Sequence, residues 1–275
     1  MLPRRFKIVP AYVAALCNGA LSSRSAKFSE ILRYLFQRSE TKRGRKYVRA
    51  EGEEEGFLRV EIDGLGRAVH YPAEFGRAGF YATIDEAFDD RHWHQFVSEE
   101  TPLVEGEVVV DCGCADGIFA ARAVEAGCEV FAFEPLPRFR ESLSRTFGDA
   151  DPIEVLPFAV GHQVGETGFT EDETGSCLSA DGGIAVNVTT LDSALLDRCE
   201  KVSFIKADIE GYEYDMLLGA EGLIRRDRPR IAVTVYHAEN NAYEIERLLR
   251  GFHGDYQFRR RGLSPNGNPV MLLAW

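Results

Sequence analysis

Between Val108 and Pro135 the sequence reads VVVDCGCADGIFAARAVEAGCEVFAFEP. A run of Val ends in Asp111, two glycines bracket Cys, Ala and Asp, a helical pattern follows, and a second apolar run ends at Glu134. No other stretch constrains the fold as much, because two strands joined by a helix-length crossover are read as a parallel pair. The same rhythm continues to the end of the chain. Strands are expected at 108–112, 128–134, 153–160, 202–208, 230–236, 255–260 and 269–275. Helices are expected at 116–126, 137–147, 190–197, 212–226 and 241–251, with a Gly-rich variable stretch at 161–188. Short apolar strands alternating with helices imply an α/β fold with a mostly parallel sheet covered on both faces. Such sheets bind ligands outside the carboxyl ends of their strands. That rule selects residues 111–117, 134, 158–160, 208–211 and 236–239.

Upstream, AKFSEILRYLFQR (26–38) places Phe28, Ile31, Leu32, Leu35 and Phe36 on one face of an amphipathic helix. TKRGRKYVRAEGEEEG (41–56) flips from basic to acidic and reads as an exposed linker. Alternating apolar residues around Gly64 and Gly66 predict a hairpin within 57–72. DEAFDDRHWHQFVSEETP (85–102) reads as a helix leading into the main domain. The expected organisation is therefore a basic, partly helical extension (1–50), a hairpin and helical lead-in (51–100), and the α/β domain (101–275).

The net charge of −12 over 275 residues argues against a nucleic-acid partner, which usually meets a basic footprint. The charge is uneven: residues 1–49 hold twelve Lys or Arg against two acids. With the 26–38 helix, that asymmetry suits contact with a membrane surface or anionic acceptor, or a helix pair packed on the main domain. Six cysteines show neither a disulfide framework nor zinc spacing, so a reduced, cytoplasmic compartment is the simplest expectation. The first 25 residues superficially resemble a secretory signal, but Pro10 and Asn18 interrupt the apolar run.

At the first strand end, Gly113 and Gly117 let the backbone approach a ligand, and the next helix offers free N–H groups. The spacing G-C-A-D-G is not the dinucleotide fingerprint G-x-G-x-x-G. Asp111 would repel a pyrophosphate and suits a ligand bearing an ammonium or sulfonium. Glu134 can accept both hydrogen bonds of a ribose diol, a device shared by NAD and adenosylmethionine sites. Lys206, Asp208 and Glu210 converge on one strand end, and His237 on the next, where an imidazole can work as a base near neutrality.

Taken together, VVVDCGCADGIFA, VFAFEPLPRFRESL, LPFAVG, VTTLDSALLD, FIKADIEGYEYDMLLGAEGLI and VYHAENNAYEIERLL resemble, in that order, the FkbM family of S-adenosylmethionine-dependent methyltransferases. The resemblance covers about residues 100–275. The family's usual DvGAniG stands here as DCGCADG, with Cys114 for Ala. It implies the class I methyltransferase Rossmann-like fold, a seven-stranded sheet whose last strand is antiparallel. It also implies methyl transfer to a hydroxyl of a sugar, glycolipid or natural-product scaffold. Asp111, Gly113 and Gly117 would then hold the methionine end, with Cys114 and Asp116 of the same turn also binding the cofactor. Glu134 would hold the ribose, and Phe158 and Ala159 would border the adenine. Asp208, also counted among the cofactor residues, and His237 would face the acceptor, with His237 as base, Asp208 orienting it or binding the acceptor hydroxyl, and Glu210 as second candidate. A divalent metal, Mg or Mn, on Asp208, Glu210 and His237 is compatible with the pattern but not favoured, since acid–base sites share the spacing. The competing readings are an NAD-dependent oxidoreductase and a silent cofactor-binding module. The acceptor's identity and a homodimer stay open, and 170–183 is a candidate lid.

Overall fold

The structure is a computed structural model and describes residues 9–10, 12–13, 26–170, 177–178, 184–237 and 241–275. Most of the signal-like segment, most of the candidate lid and Glu239 lie outside the described residues.

A seven-stranded sheet carries the fold. Its strands are β4 (Val108–Cys112), β5 (Glu129–Phe133), β6 (Ile153–Leu156), β11 (Phe204–Ala207), β12 (Arg230–Thr234), β13 (Phe258–Arg261) and β14 (Met271–Ala274), numbered over the whole chain. Their spatial order is β13-β14-β12-β11-β4-β5-β6, and only β14 runs antiparallel to its neighbours. This is the class I methyltransferase arrangement. Strand periodicity explains the two cores: along β4, Val109 faces one and Val110 and Cys112 the other. The first core packs Ala120, Ala121 and Val124 of the helix Ile118–Glu125 on the sheet. The second packs Leu217, Leu223, Ile245 and Leu249 on the opposite face. The chain winds outward from β4 to β5 and β6, then returns to β11 on the other side of β4. That reversal opens a crevice at the carboxyl ends of β4 and β11, which is where the site lies.

Several expectations are corrected. The stretch 41–56 is not a linker: a helix Glu40–Gly44 leads into β1 (Val48–Glu54), which pairs with β2 (Phe57–Ile62). Its charged side chains stay exposed while main-chain groups make the ladder, which is why composition alone misreads it. The expected hairpin forms as β2 and β3 (Ala68–Pro72). The helix anticipated at 85–102 is instead Arg77–Phe88, followed by turns through Thr101. The helix expected at 212–226 is two, Glu213–Leu218 and Glu221–Asp227, parted at Gly219, where any Cβ would strike the carbonyl of Gly161. The stretch 153–160 also divides. β6 stays in the main sheet, while β7 (Ala159–Val160) joins β8 (Gly165–Thr170), β9 (Cys177–Leu178) and β10 (Ile184–Thr189) in a separate four-stranded sheet.

The amphipathic helix spans Phe28–Phe36, but only part of its apolar face is covered. Ile31 and Leu35 pack with Trp93 and Leu263, and Tyr34 stacks on Trp93 at 4.9 Å. Phe28, Leu32 and Phe36, on the adjacent row, are exposed. Among the described residues no helix is long and apolar enough to cross a membrane.

Candidate active site

The turn after β4 is built by backbone demands. Gly113 and Gly117 both adopt φ of 75°, and Ala115 sits at 41°. At Gly113 a Cβ would collide with the carbonyl of Asp208, so the β4 and β11 ends touch main chain to main chain. Asp116 caps the following helix by accepting the Ile118 N–H at 2.9 Å, and burial pushes its carboxyl up to about 6. Burial likewise holds the Cys114 thiol well above its ordinary value.

Glu134 fastens this turn to the next. One oxygen accepts the Ala115 N–H at 3.0 Å and the other the Leu136 N–H at 2.9 Å. It is buried, and desolvation raises its carboxyl to about 7 despite those donors. Leu136, Phe139, Phe158 and Ala159 line the same cavity beside it. Tyr71 and Phe75, from the upstream segment, complete an aromatic wall in which Phe75 stacks on Phe139 at 5.0 Å.

The cavity, about 760 Å³, runs from Glu134 past Gly113, Cys114 and Asp116 to Asp208 and Glu210. Two of the expected cofactor residues stand behind its wall rather than in it. Gly117 shapes the turn. Asp111 is fully buried and pairs with the Lys206 ammonium at 2.8 Å, so its charge is engaged inside the protein instead of facing a ligand. The Lys206 Nζ also donates to the Gly113 carbonyl at 2.7 Å. Burial opposes its charge, but Asp111 and Asp208 outweigh that and raise its pKa.

At the far end, Asp208 Oδ1 accepts the Thr234 hydroxyl at 3.2 Å, and Oδ2 faces His94 Nε2 at 3.6 Å. His94 lines the cavity and is held through Nδ1 by Glu86 at 2.9 Å. Burial disfavours its charge, yet Glu86 and Asp208 lift its pKa to about 9, so it is an imidazolium at neutral pH. Neither His94 nor Glu86 stands at a strand end, so the strand-end rule passed over them. The one available signal was a histidine amid aromatic residues in RHWHQF. His237, the expected base, does not line the cavity. Its Nε2 turns to Glu210 at 2.8 Å and its ring packs on Tyr236, so it supports Glu210 rather than facing the cavity directly.

The methyltransferase FkbM domain matches residues 111–259, more than half of the chain. The chain belongs to the FkbM methyltransferase family. A solved FkbM methyltransferase from Methylobacillus flagellatus KT is similar over 99% of this chain and 62% of that one, with 17% identity and a TM-score of 0.54. This chain thus spans under two thirds of that relative's length, and at this identity the likeness concerns the fold. A SAM-dependent methyltransferase from Agrobacterium tumefaciens is similar over 81% of this chain and 70% of that one, with 12% identity and a TM-score of 0.45. Aeropyrum pernix fibrillarin, solved with natively bound S-adenosyl-L-methionine, is similar over 83% and 99%, with 13% identity and a TM-score of 0.42. No curated protein matches the sequence. The FkbM match begins at Asp111 and takes in Glu134 and Asp208, but leaves out His94, Glu86 and the aromatic wall of residues 71–75.

Proposed function

We propose that this FkbM-family chain transfers a methyl group from S-adenosylmethionine to a hydroxyl of a sugar, glycolipid or natural-product scaffold. The observation that carries the reading is one cavity joining Glu134, at the carboxyl end of β5, to Asp208 and the Glu86–His94 pair. The residues fit the cofactor. Each Glu134 oxygen already holds a main-chain N–H and keeps a lone pair for a ribose hydroxyl. Phe158, Ala159, Leu136 and Phe139 offer apolar surface for adenine. When bound, the cofactor supplies an electrophilic methyl on a sulfonium. Asp208 can accept the acceptor's hydroxyl hydrogen, which aligns its oxygen and raises its nucleophilicity. His94, fixed by Glu86, places a positive charge beside that carboxylate and stabilises negative charge gathering on the oxygen.

Calorimetry separates the alternatives: S-adenosylhomocysteine is expected to bind and NAD is not. Glu134→Ala should weaken S-adenosylhomocysteine by about 2–4 kcal/mol, the loss of two charge-assisted hydrogen bonds. Because the ribose donates to the ionised carboxylate, a Glu134 pKa near 7 gives binding a pH dependence. Affinity should hold above pH 7 and fall below it by up to about tenfold per unit. Glu134→Gln should flatten that fall. Unchanged affinity in the alanine variant removes Glu134 from the site. A screen of glycan, glycolipid and polyketide hydroxyls with labelled cofactor tests the acceptor class.

The N-terminal extension is proposed to meet an anionic surface, supported by its basic excess and by exposed Phe28, Leu32 and Phe36. Binding to anionic vesicles that weakens as salt rises is the expected result; binding indifferent to lipid charge sinks the idea.

A further inference from the structure

Beside Asp208 the structure gathers more acidic and imidazole groups than methyl transfer requires. Asp208, Glu210 and His237 each bring one donor atom to within 4.8 Å of the others. Asp208 and Glu210 follow β11, and His237 follows β12, so two adjacent strands fix the set. Glu210 does this from a left-handed backbone, φ 56°, a conformation that a non-glycine residue adopts at a cost and that is typical of ligand clamps. The turn is stabilised by Glu213, whose Oε1 accepts the Ile209 N–H at 3.1 Å and the Gly211 N–H at 3.4 Å.

Among the described residues, three buried polar atoms around the cluster lack a hydrogen-bond partner. Glu213 is fully buried, and its second oxygen has no hydrogen-bond partner. His237 Nδ1 also lacks one and faces Glu213 Oε1 at 3.8 Å. His94, more than nine-tenths buried, aims Nε2 at Asp208 Oδ2 from 3.6 Å, beyond hydrogen-bond reach. With Nε2 on a metal, His237 would turn its other nitrogen toward a carboxylate, as metal-bound histidines do. Thr234 serves as a second outer contact: its hydroxyl lies 3.2 Å from Asp208 Oδ1 and 2.8 Å from Glu213 Oε1.

We infer that Asp208, Glu210 and His237 form a binding site for a divalent cation of the Mn²⁺ or Mg²⁺ class, with Glu213 and Thr234 as its outer support. Two carboxylate oxygens and one imidazole suit such an ion. An octahedral ion takes about six ligands, so about three positions stay open. Because Asp208 and Glu210 line the cavity, those positions face it. They would take two adjacent oxygens of the acceptor, which narrows the acceptor class to vicinal diols and related chelating pairs. This last step rests on the methyl-transfer reading; the cation site itself does not.

The test is Mn²⁺ titration of the full chain after EDTA treatment, followed by electron paramagnetic resonance and calorimetry, without cofactor. One bound Mn²⁺ per chain is expected. Glu210→Gln and His237→Ala should each abolish or strongly weaken it, and Glu213→Gln should weaken it by about 10–100-fold. Glu141→Gln, on an exposed helix face, should leave it unchanged. Glu210 is partly exposed, so its variant is expected to fold, which circular dichroism checks. No bound Mn²⁺ at millimolar metal, or binding equal in Glu210→Gln, His237→Ala and the parent, overturns the site. S-adenosylhomocysteine binding in EDTA is measured alongside. Cofactor binding without Mn²⁺ binding sinks the cation site alone; Mn²⁺ binding without cofactor binding sinks the methyl-transfer reading alone.

Discussion

Asp208→Asn is expected to lower methyl-transfer turnover by about 10²–10⁴-fold, the range for loss of a positioned proton acceptor. S-adenosylhomocysteine affinity should stay within a few-fold, because asparagine keeps the side chain's shape and the Asp208 carbonyl still packs on Gly113. His94→Ala should also lose turnover, since it removes the positive charge held beside Asp208 by Glu86. The measurement is kcat at saturating acceptor, set against cofactor Kd from calorimetry. Near-parental kcat in Asp208→Asn removes Asp208 from the reaction. A parallel collapse of cofactor affinity would instead make Asp208 part of the cofactor site. If the cation site holds, His237→Ala loses turnover too, but through metal that the variant no longer binds.

The parts of the site that were legible in the sequence follow from strand ends. An alternating α/β chain announces where its strands stop, and the residue types at those stops indicate chemistry. Gly113, Glu134 and Asp208 all lie where that rule puts them. The residues it missed come from elsewhere. Tyr71 and Phe75 reach the cavity from a hairpin and a short turn, and Glu86 and His94 from a helix and the loop after it. These segments precede β4, the first strand of the seven-stranded sheet, and only tertiary packing carries them over its carboxyl edge. His237 shows the converse limit. Its strand end was right, but its side-chain direction depended on Glu210, whose left-handed backbone no spacing rule reveals. The linker reading of 41–56 failed because an edge strand is paid for by main-chain pairing, to which side-chain composition is nearly indifferent.

Lys206→Met should destabilise the fold by about 3–5 kcal/mol, the loss expected when one partner of a buried ion pair is removed. Lys206 and Asp111 are direct cross-strand partners on β11 and β4, with side chains 5% and 0% exposed. Methionine keeps most of the lysine's length and its packing near Phe96 and Phe119, which lie 5.2 Å and 5.9 Å from Nζ. What it removes is the charge, leaving Asp111 to bear an uncompensated carboxylate in the core. Asp111→Asn alone strands the ammonium in the same way. In the double variant Lys206→Met/Asp111→Asn neither charge remains, so stability should recover toward the parent value. Urea unfolding at pH 7 measures all four proteins, and the coupling between the two positions decides the matter. Additive losses would show that the two charges act independently. A coupled loss has a consequence at the ligand site. The Lys206 ammonium also ties down the Gly113 carbonyl, so even the double variant, though stable, should hold S-adenosylhomocysteine less tightly than the parent.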